Sequence, residues 1–410
     1  MKDYKLKICS FLVFYTYFFK ATYLGASPTI SGWLDNGVVL LLTLLVANCY
    51  KYFISKKYRL LNLGILAYCI VSILSVHFNI NYIDSLMVLN EEGDYISGET
   101  TEKSAIYSML ALLSSAMFIE HLTTTCKVRI LLRTLFVCMG ILLIFVDIDA
   151  MQHVVIDDSI EGYLIGNKFN VTYLNLYFCT IYSMMHPKLN KQARVWLMLC
   201  IAVLMVVSIH TRCTTSLLGA VTFFFFIFFM GPKWKKIFSK PRTFFIALLI
   251  CDVIFFFFTT WFLQFDFVQD FIVNVLHEDM TLTGRLGIYL NIQEAFTESP
   301  WIGYGIGNSG IISKMYTGAY DAQNGLVDMF IQVGIIGCIA YFYILYKLFQ
   351  QIKDRYVMVF PIIAFVYSTL VISMVEIPFK SVFIVLSLLL LTEHISTNSQ
   401  TKKPSKLGLL

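Results

Sequence analysis

Charge is scarce in this chain. Asp, Glu, Lys and Arg make up 14% of the 410 residues, whereas 58% are hydrophobic and 36 are Phe. That balance excludes an ordinary soluble globule, in which about a quarter of residues are charged. A disulfide framework is missing too. The ten cysteines lie mostly within apolar runs and include no C-x-x-C pair, so they read as small packing residues. A cleavable leader is not apparent, because residues 1–24 begin basic but lack a small-residue cleavage site and continue as a span. No internal repeat relates the first half of the apolar runs to the second, which weakens an inverted-repeat transporter.

What the chain does have is long apolar runs. A helix needs ~20 apolar residues to cross a bilayer, and about twelve candidates are found: 6–24, 34–54, 60–78, 104–122, 130–147, 169–185, 195–210, 214–230, 243–263, 323–346, 357–374 and 379–392. Helices are required there, since backbone groups in hydrocarbon must find internal partners. The predicted fold is therefore all-α, a polytopic transmembrane helix bundle forming one integral membrane domain over 1–410.

Charge orients it. Of 31 Lys and Arg, only Lys103, Lys168, Arg212, Arg285, Lys314 and Lys380 fall on one face, Lys20 lies inside the first span, and the other 24 fall on the opposite face. Positive charge gathers in cytoplasmic loops, so both termini are expected in the cytoplasm and the span count is even. The net charge of +5 thus reads as orientation, with no nucleic acid as partner. The outward cations are unexplained by topology. One connection also stands out: residues 264–322, between spans nine and ten, form a long extracytoplasmic loop, and loops of that length are usually functional. Leu286, Tyr289, Leu290, Ile292 and Phe296 fall at helical spacing there, predicting an amphipathic helix over 285–298 that Pro300 ends.

Several groups could carry chemistry. Arg212, in His210-Thr211-Arg212-Cys213-Thr214, sits where the chain turns between spans seven and eight. A charge at membrane depth marks a pathway or ligand site, unless it is an arginine snorkelling at the interface. Arg285 opens the loop helix, where an anion is favoured, although pairing with Asp279 or Glu298 is the alternative. Two guanidinium forks could together hold a diphosphate. Gly303-Tyr304-Gly305 allow close approach of a sugar or phosphate, or simply a turn. Asn324 and Asp328 enter the outer end of span ten, one turn apart, suited to sugar hydroxyls or to helix capping. Lys168 and Asn170 open span six. Asp147 and Asp149 have the spacing of a metal-binding pair, but two aspartates are weak grounds, so no metal and no cofactor is expected.

In order along the chain, Gly-Asn-Lys-Phe-Asn (166–170), Thr-Arg-Cys-Thr (211–214), Thr-Gly-Arg (283–285), Pro-Trp-Ile-Gly-Tyr-Gly (300–305), Gln-Asn-Gly-Leu-Val-Asp (323–328) and Gly-Ile-Ile-Gly (334–337) resemble the O-antigen ligase/polymerase superfamily, the Wzy-type polymerases and related ligases of surface polysaccharides. The resemblance implies a bacterial inner-membrane enzyme. It would polymerise polyprenyl-diphosphate-linked oligosaccharide repeats into O-antigen or capsule by inverting, metal-independent glycosyl transfer at the outer leaflet. It also implies contact with membrane lipid and, as a candidate partner, a chain-length regulator protein. Arg212 and Arg285 would then neutralise the departing diphosphate, and Lys168, Asn170, Gly303, Tyr304, Gly305 and Asn324 would bind substrate. The family's motif entering span ten carries a histidine where this chain has Gln323. Glutamine can orient a hydroxyl but cannot act as a base. Asp328 is the preferred substitute, followed by Asp321, with His210 and His277 as further candidates.

Two other readings stay open. A ligase would pass finished glycan to a lipid or wall acceptor. A flippase for the same lipid-linked unit would place polar groups at mid-bilayer, where Lys20 and Asp252 are the clear cases.

Overall fold

The computed structural model describes residues 1–86, 88–89, 95–96, 100–152, 161–187, 189–256, 265, 285–352 and 355–392, with Leu24, 88–89, 95–96, 161 and 285–286 as backbone only. The described chain is all-helical apart from two short hairpins, Val88–Leu89 with Tyr95–Ile96 and Glu161–Tyr163 with Gly166–Asn167. Among the described residues, six helices are long and apolar enough to cross a membrane: Pro28–Phe53, Arg59–Ser85, Glu102–Thr124, Val128–Gln152, Lys191–His210 and Gly325–Gln350. Thr214–Phe229, Tyr356–Ile372 and Ser381–Leu391 are apolar but shorter.

Several expected boundaries move. The first helix is Asp3–Phe18, so Lys20 lies past its end, in extended backbone leading to a 3-10 turn at Ala21–Leu24. The last expected span is a helix of seven residues, Ser381–Ser387, that tightens into a 3-10 turn, Leu388–Leu391. At ~1.5 Å per residue it is too short to cross alone. The ninth runs as Pro241–Leu248 and then widens into a π-helix, Leu249–Ile254. The predicted 285–298 helix is two pieces, Arg285–Asn291 and Gln293–Glu298, followed by Ser309–Thr317.

Packing runs between neighbours and across the chain. Gly325–Gln350 lies along Arg59–Ser85, and Tyr356–Ile372 along Thr214–Phe229. Small residues permit the close approach: a methyl group on Gly64 would sit 2.8 Å from the Tyr343 ring. Large apolar side chains such as Leu44, Phe78, Ile144, Phe229 and Ile339 face outward, as a lipid-facing surface requires. Above the main core, Tyr289, Ile292, Ala295, Tyr304, Ile311 and Ile312 form a second core that caps Val327 and Ile331.

The joint between that cap and the bundle is a broken helix. Gly334, at φ 61° and ψ −170°, interrupts Gly325–Gln350. Four backbone groups that would pair within the helix pair instead with the 300–305 loop. Tyr304 N donates to Ile331 O (2.7 Å) and Gly305 N to Gln332 O (2.9 Å). On the other side of the break, Ile335 N donates to Pro300 O (2.9 Å) and Ile336 N to Trp301 O (3.1 Å). Such a break survives in a membrane-protein interior only when the freed groups find new partners. Gly303, at φ 66°, makes the approach possible, since any Cβ there would lie 2.5 Å from Ile331 O.

Gly303→Val is therefore expected to lower stability by roughly 2 kcal/mol or more, from strain plus overpacking, seen as a fall in melting temperature in detergent. Gly287→Ala, at an exposed helical position with open space around it, should melt unchanged or slightly higher. Equal melting of the Gly303 variant and the wild type would contradict the joint's role.

Candidate active site

A polar cavity of about 430 Å³ lies at the end of the bundle where Lys168–Met185 and Gly325–Gln350 begin, a size suited to a ligand site. Its walls come from the start of Glu102–Thr124 (Ser104, Ser108), the start of Lys168–Met185 (Asn170, Tyr173), the 306–332 segment (Ser309, Asp321, Asp328, Gln332) and the 376–381 turn (Glu376, Lys380). Three carboxylates and one ammonium group thus face a common space. Among the described residues, no three His, Cys, Asp or Glu side chains are grouped to hold a metal ion.

Asp328 is the best-defined member. It is 3% exposed, and Gln332, one turn further along the helix, donates from Nε2 to Asp328 Oδ2 at 2.6 Å. Gln332 is itself fixed, because its Oε1 accepts from Gly307 N (2.9 Å) and its backbone oxygen accepts from Ser75 Oγ (2.9 Å). Asp328 Oδ1 has no hydrogen-bond partner, and Ser309, Asp321 and Lys380 stand around the carboxyl group. A carboxylate on a cavity wall, held by one oxygen and unpartnered on the other, keeps an acceptor that could take a proton from a bound hydroxyl. The joint at Gly334 supplies the precision, since the same loop that closes the broken helix also holds Gln332.

Two other sequence candidates share an unusual backbone. Arg212 (φ 49°) and Gln323 (φ 48°) are two of only three non-glycine residues in the left-handed region among those described. Strain of this kind persists where surroundings enforce it, and it concentrates at functional sites. Arg212 occupies the position after the Lys191–His210 helix that glycine usually takes, with Arg212 N donating to Ile209 O (3.1 Å) and Cys213 N to Ser208 O (2.8 Å). Its turn is pinned to Lys168–Met185 by the hydroxyl contact of Ser216 with Thr172. Gln323 N donates to Asp321 Oδ1 (2.9 Å), and Gln323 O accepts from Tyr289 OH (2.8 Å).

The cavity brings together Asn170, Asp321 and Asp328. Arg212, Lys168, Gln323, Asn324, His210 and Gly303-Tyr304-Gly305 do not line it. Asn324 is fully buried as a helix cap, its Oδ1 accepting from Leu326 N and Val327 N and its Nδ2 donating to Met374 O (3.2 Å). Tyr304 OH donates to Ala295 O (2.9 Å), and burial pushes its phenol up to about 12, so it serves as an anchor. Lys168 Nζ lies 5.9 Å from the Phe169 ring centre. Asp147 Oδ1 accepts from Asn175 Nδ2 (2.8 Å) on Lys168–Met185, and Asp149 Oδ2 accepts from Leu164 N (2.7 Å) in the turn of the 161–167 hairpin, so the two aspartates are tied to different elements. The Arg285 backbone opens its helix, but its side chain and His277 lie outside the described residues.

Sequence reasoning passed over Tyr173, Glu376 and Lys380 as site residues. Tyr173 sits one turn after Asn170 and was hidden in an apolar run. Glu376 and Lys380 lie in a connection too short to attract notice, although Lys380 had already been singled out by its sign. No curated protein matches this chain. Residues 195–342, which include Arg212, Gln323 and Asp328, match the family model described as O-antigen ligase.

Proposed function

We propose that this protein joins lipid-linked oligosaccharide repeats into a longer surface polysaccharide, by inverting, metal-independent transfer from a polyprenyl-diphosphate donor at the outer leaflet. The observation that carries this reading is the Asp328 carboxyl group, on the wall of a polar cavity within the stretch that matches the family model, held through one oxygen and with no hydrogen-bond partner on the other. In this scheme Asp328 takes the proton from the acceptor hydroxyl as that oxygen attacks the donor's anomeric carbon. The bond from that carbon to the diphosphate breaks, and the leaving group carries away its electron pair. Arg212 and Arg285 receive the developing charge as bidentate donors. Gln323 orients the acceptor hydroxyl, Asn170 and Lys168 hold substrate at the mouth of the cleft, and Asn324 with Gly303-Tyr304-Gly305 fix the frame. The twelve-span topology, with both termini in the cytoplasm of a bacterial inner-membrane protein, completes the proposal, and a chain-length regulator is its candidate partner.

A ligase that hands finished glycan to another acceptor is the second reading, favoured by the printed description of the matching family. Deletion separates the two. A cell left with single-repeat surface glycan has lost a polymerase, and one with long polymer stranded on its carrier has lost a ligase. A flippase has less support, because the distinctive polar groups gather at one end of the bundle.

Purified protein given a polyprenyl-diphosphate oligosaccharide and chelator is expected to produce a ladder of products on a gel. In that assay Asp328→Asn, Arg212→Lys and Arg285→Lys should each slow transfer by about 100-fold or more, the usual cost of losing one group aimed at transition-state charge or at the reacting proton. Near wild-type rates in Asp328→Asn would remove it as the base, and near wild-type rates in either lysine variant would remove the fork.

Topology has its own test. Cys126 is exposed in the turn between Glu102–Thr124 and Val128–Gln152, on the proposed cytoplasmic side. In right-side-out vesicles an impermeant maleimide should modify it only after permeabilisation, with Cys126→Ser as control. Immediate modification would reverse the orientation.

A further inference from the structure

The polar cavity does not end at Lys380. A second cavity of about 780 Å³ shares Ser104, Ser108, Gly307, Lys380 and Ser381 with it, and a third of about 200 Å³ shares Asn170, Tyr173 and Lys380. The second and third in turn share Tyr17, Lys20 and Lys380. Lys380 is the one residue on all three walls, so the spaces form one branched cleft with Lys380 at its fork.

Charge divides along that cleft. The first cavity carries Asp321, Asp328 and Glu376 against Lys380 alone. The second carries Lys20, Lys103 and Lys380 against Asp35 alone, whose Oδ2 already accepts from Ser31 Oγ (3.3 Å). Among the described residues, none of these three lysines forms an ion pair. Lys103 and Lys380, two outward cations that topology does not require, thus meet Lys20 in one lobe, the three contributed by the start of Glu102–Thr124, the 376–381 turn and the break after Asp3–Phe18. Gathering like charges costs free energy unless an anion arrives to offset it. The other polar groups at the junctions are hydroxyls and the Asn170 amide. Tyr173 OH has no hydrogen-bond partner, and Tyr173 is 7% exposed. Hydroxyls beside ammonium groups suit oxyanions.

Access fits as well. The lobe's outer wall includes Gly32, Asp35, Asn36 and Val39 of Pro28–Phe53, the span least buried within the bundle. Trp33 on that helix is 76% exposed, and Lys103 Nζ lies 6.0 Å from its ring centre. A ligand with an apolar tail could thus reach the lysines from the bilayer side, behind one peripheral helix.

We propose that the Lys20–Lys103–Lys380 lobe is an anion subsite that holds the acceptor substrate, placing its sugar end over Asp328. The assignment to the acceptor rests on the glycosyl-transfer reading, whereas anion binding by the lobe does not. The recognised chemistry is a cluster of anionic oxygens. It comes either from the diphosphate tying the acceptor to its lipid or from acid groups on the sugars. Arg212 and Arg285 serve the donor, and the cleft between the two cationic groups is where transfer occurs.

The test uses the full-length protein in detergent at low salt. Inorganic pyrophosphate and a glucuronate-containing disaccharide are titrated separately by calorimetry. At least one should bind, and Lys20→Gln/Lys103→Gln and Lys380→Gln should each weaken that binding tenfold or more, whereas Arg212→Gln should leave this component in place. Whichever probe binds identifies the source of the oxygens. A measurement on the wild type removes dependence on how the variants fold. The bound probe should protect Lys20, Lys103 and Lys380 from acetylation read by mass spectrometry, with exposed Lys236 unprotected. Binding of neither probe, or equal acetylation with and without it, overturns the subsite. If the lobe binds its anion but no polysaccharide ladder forms, the polymerase reading fails and the subsite stands. If a ladder forms and the lysine variants bind like wild type, the reverse holds.

Discussion

The exchange of backbone hydrogen bonds at the Gly334 break is the constraint on which the rest of this structure depends. A long apolar helix would ordinarily satisfy its own carbonyl and amide groups, and breaking it within a membrane protein exposes four of them to an environment with little water. Here the 300–305 loop takes up all four. The loop is thereby fixed to the helix, the second core is fixed above it, and Gln332 is turned so that its amide meets Asp328. A cavity group is positioned by main-chain geometry some two turns away, which is more rigid than positioning by loops alone.

This arrangement recasts the glycine-rich run. At first sight Gly303-Tyr304-Gly305 invites a substrate to lie against bare backbone. In the structure the partner that approaches so closely is the protein's own helix, and Tyr304 anchors the far side through Ala295 O. The glycines matter to the site because they permit the joint. The same economy appears at Asn324, whose amide is consumed in capping the helix that carries Asp328.

Much of this was legible in the sequence, for reasons that differ by feature. The apolar runs declared an all-α membrane bundle because hydrocarbon tolerates few alternatives. The sign of scattered charges picked out Arg212 and Lys380 because topology left them unexplained. Asp328 was singled out by its spacing from Asn324 within a polar entry to an apolar helix, and the structure places it on the cavity wall. What could not be read was convergence. Nothing in a single sequence says that Lys20, Lys103 and Lys380, far apart along the chain, open on one lobe, or that Tyr173 lines Asp328's cavity. Helix ends also shifted, since Lys20 in an apolar run looks like part of a span until the chain is seen to break at Phe18. The π-helix at Leu249–Ile254, which buries Asp252 against Ser373, has no local signature either.

The central claim is that sugar transfer occurs in the cleft at the outer end of the bundle, beside Asp328. A lipid-diphosphate oligosaccharide bearing a photoreactive diazirine on its terminal sugar would test it directly, with cross-linked peptides mapped by mass spectrometry. The account predicts label on peptides spanning 306–332 and 376–381, which wall the cavity. Label confined to the opposite end of the bundle, around Phe136, His186 and Trp196, would contradict it.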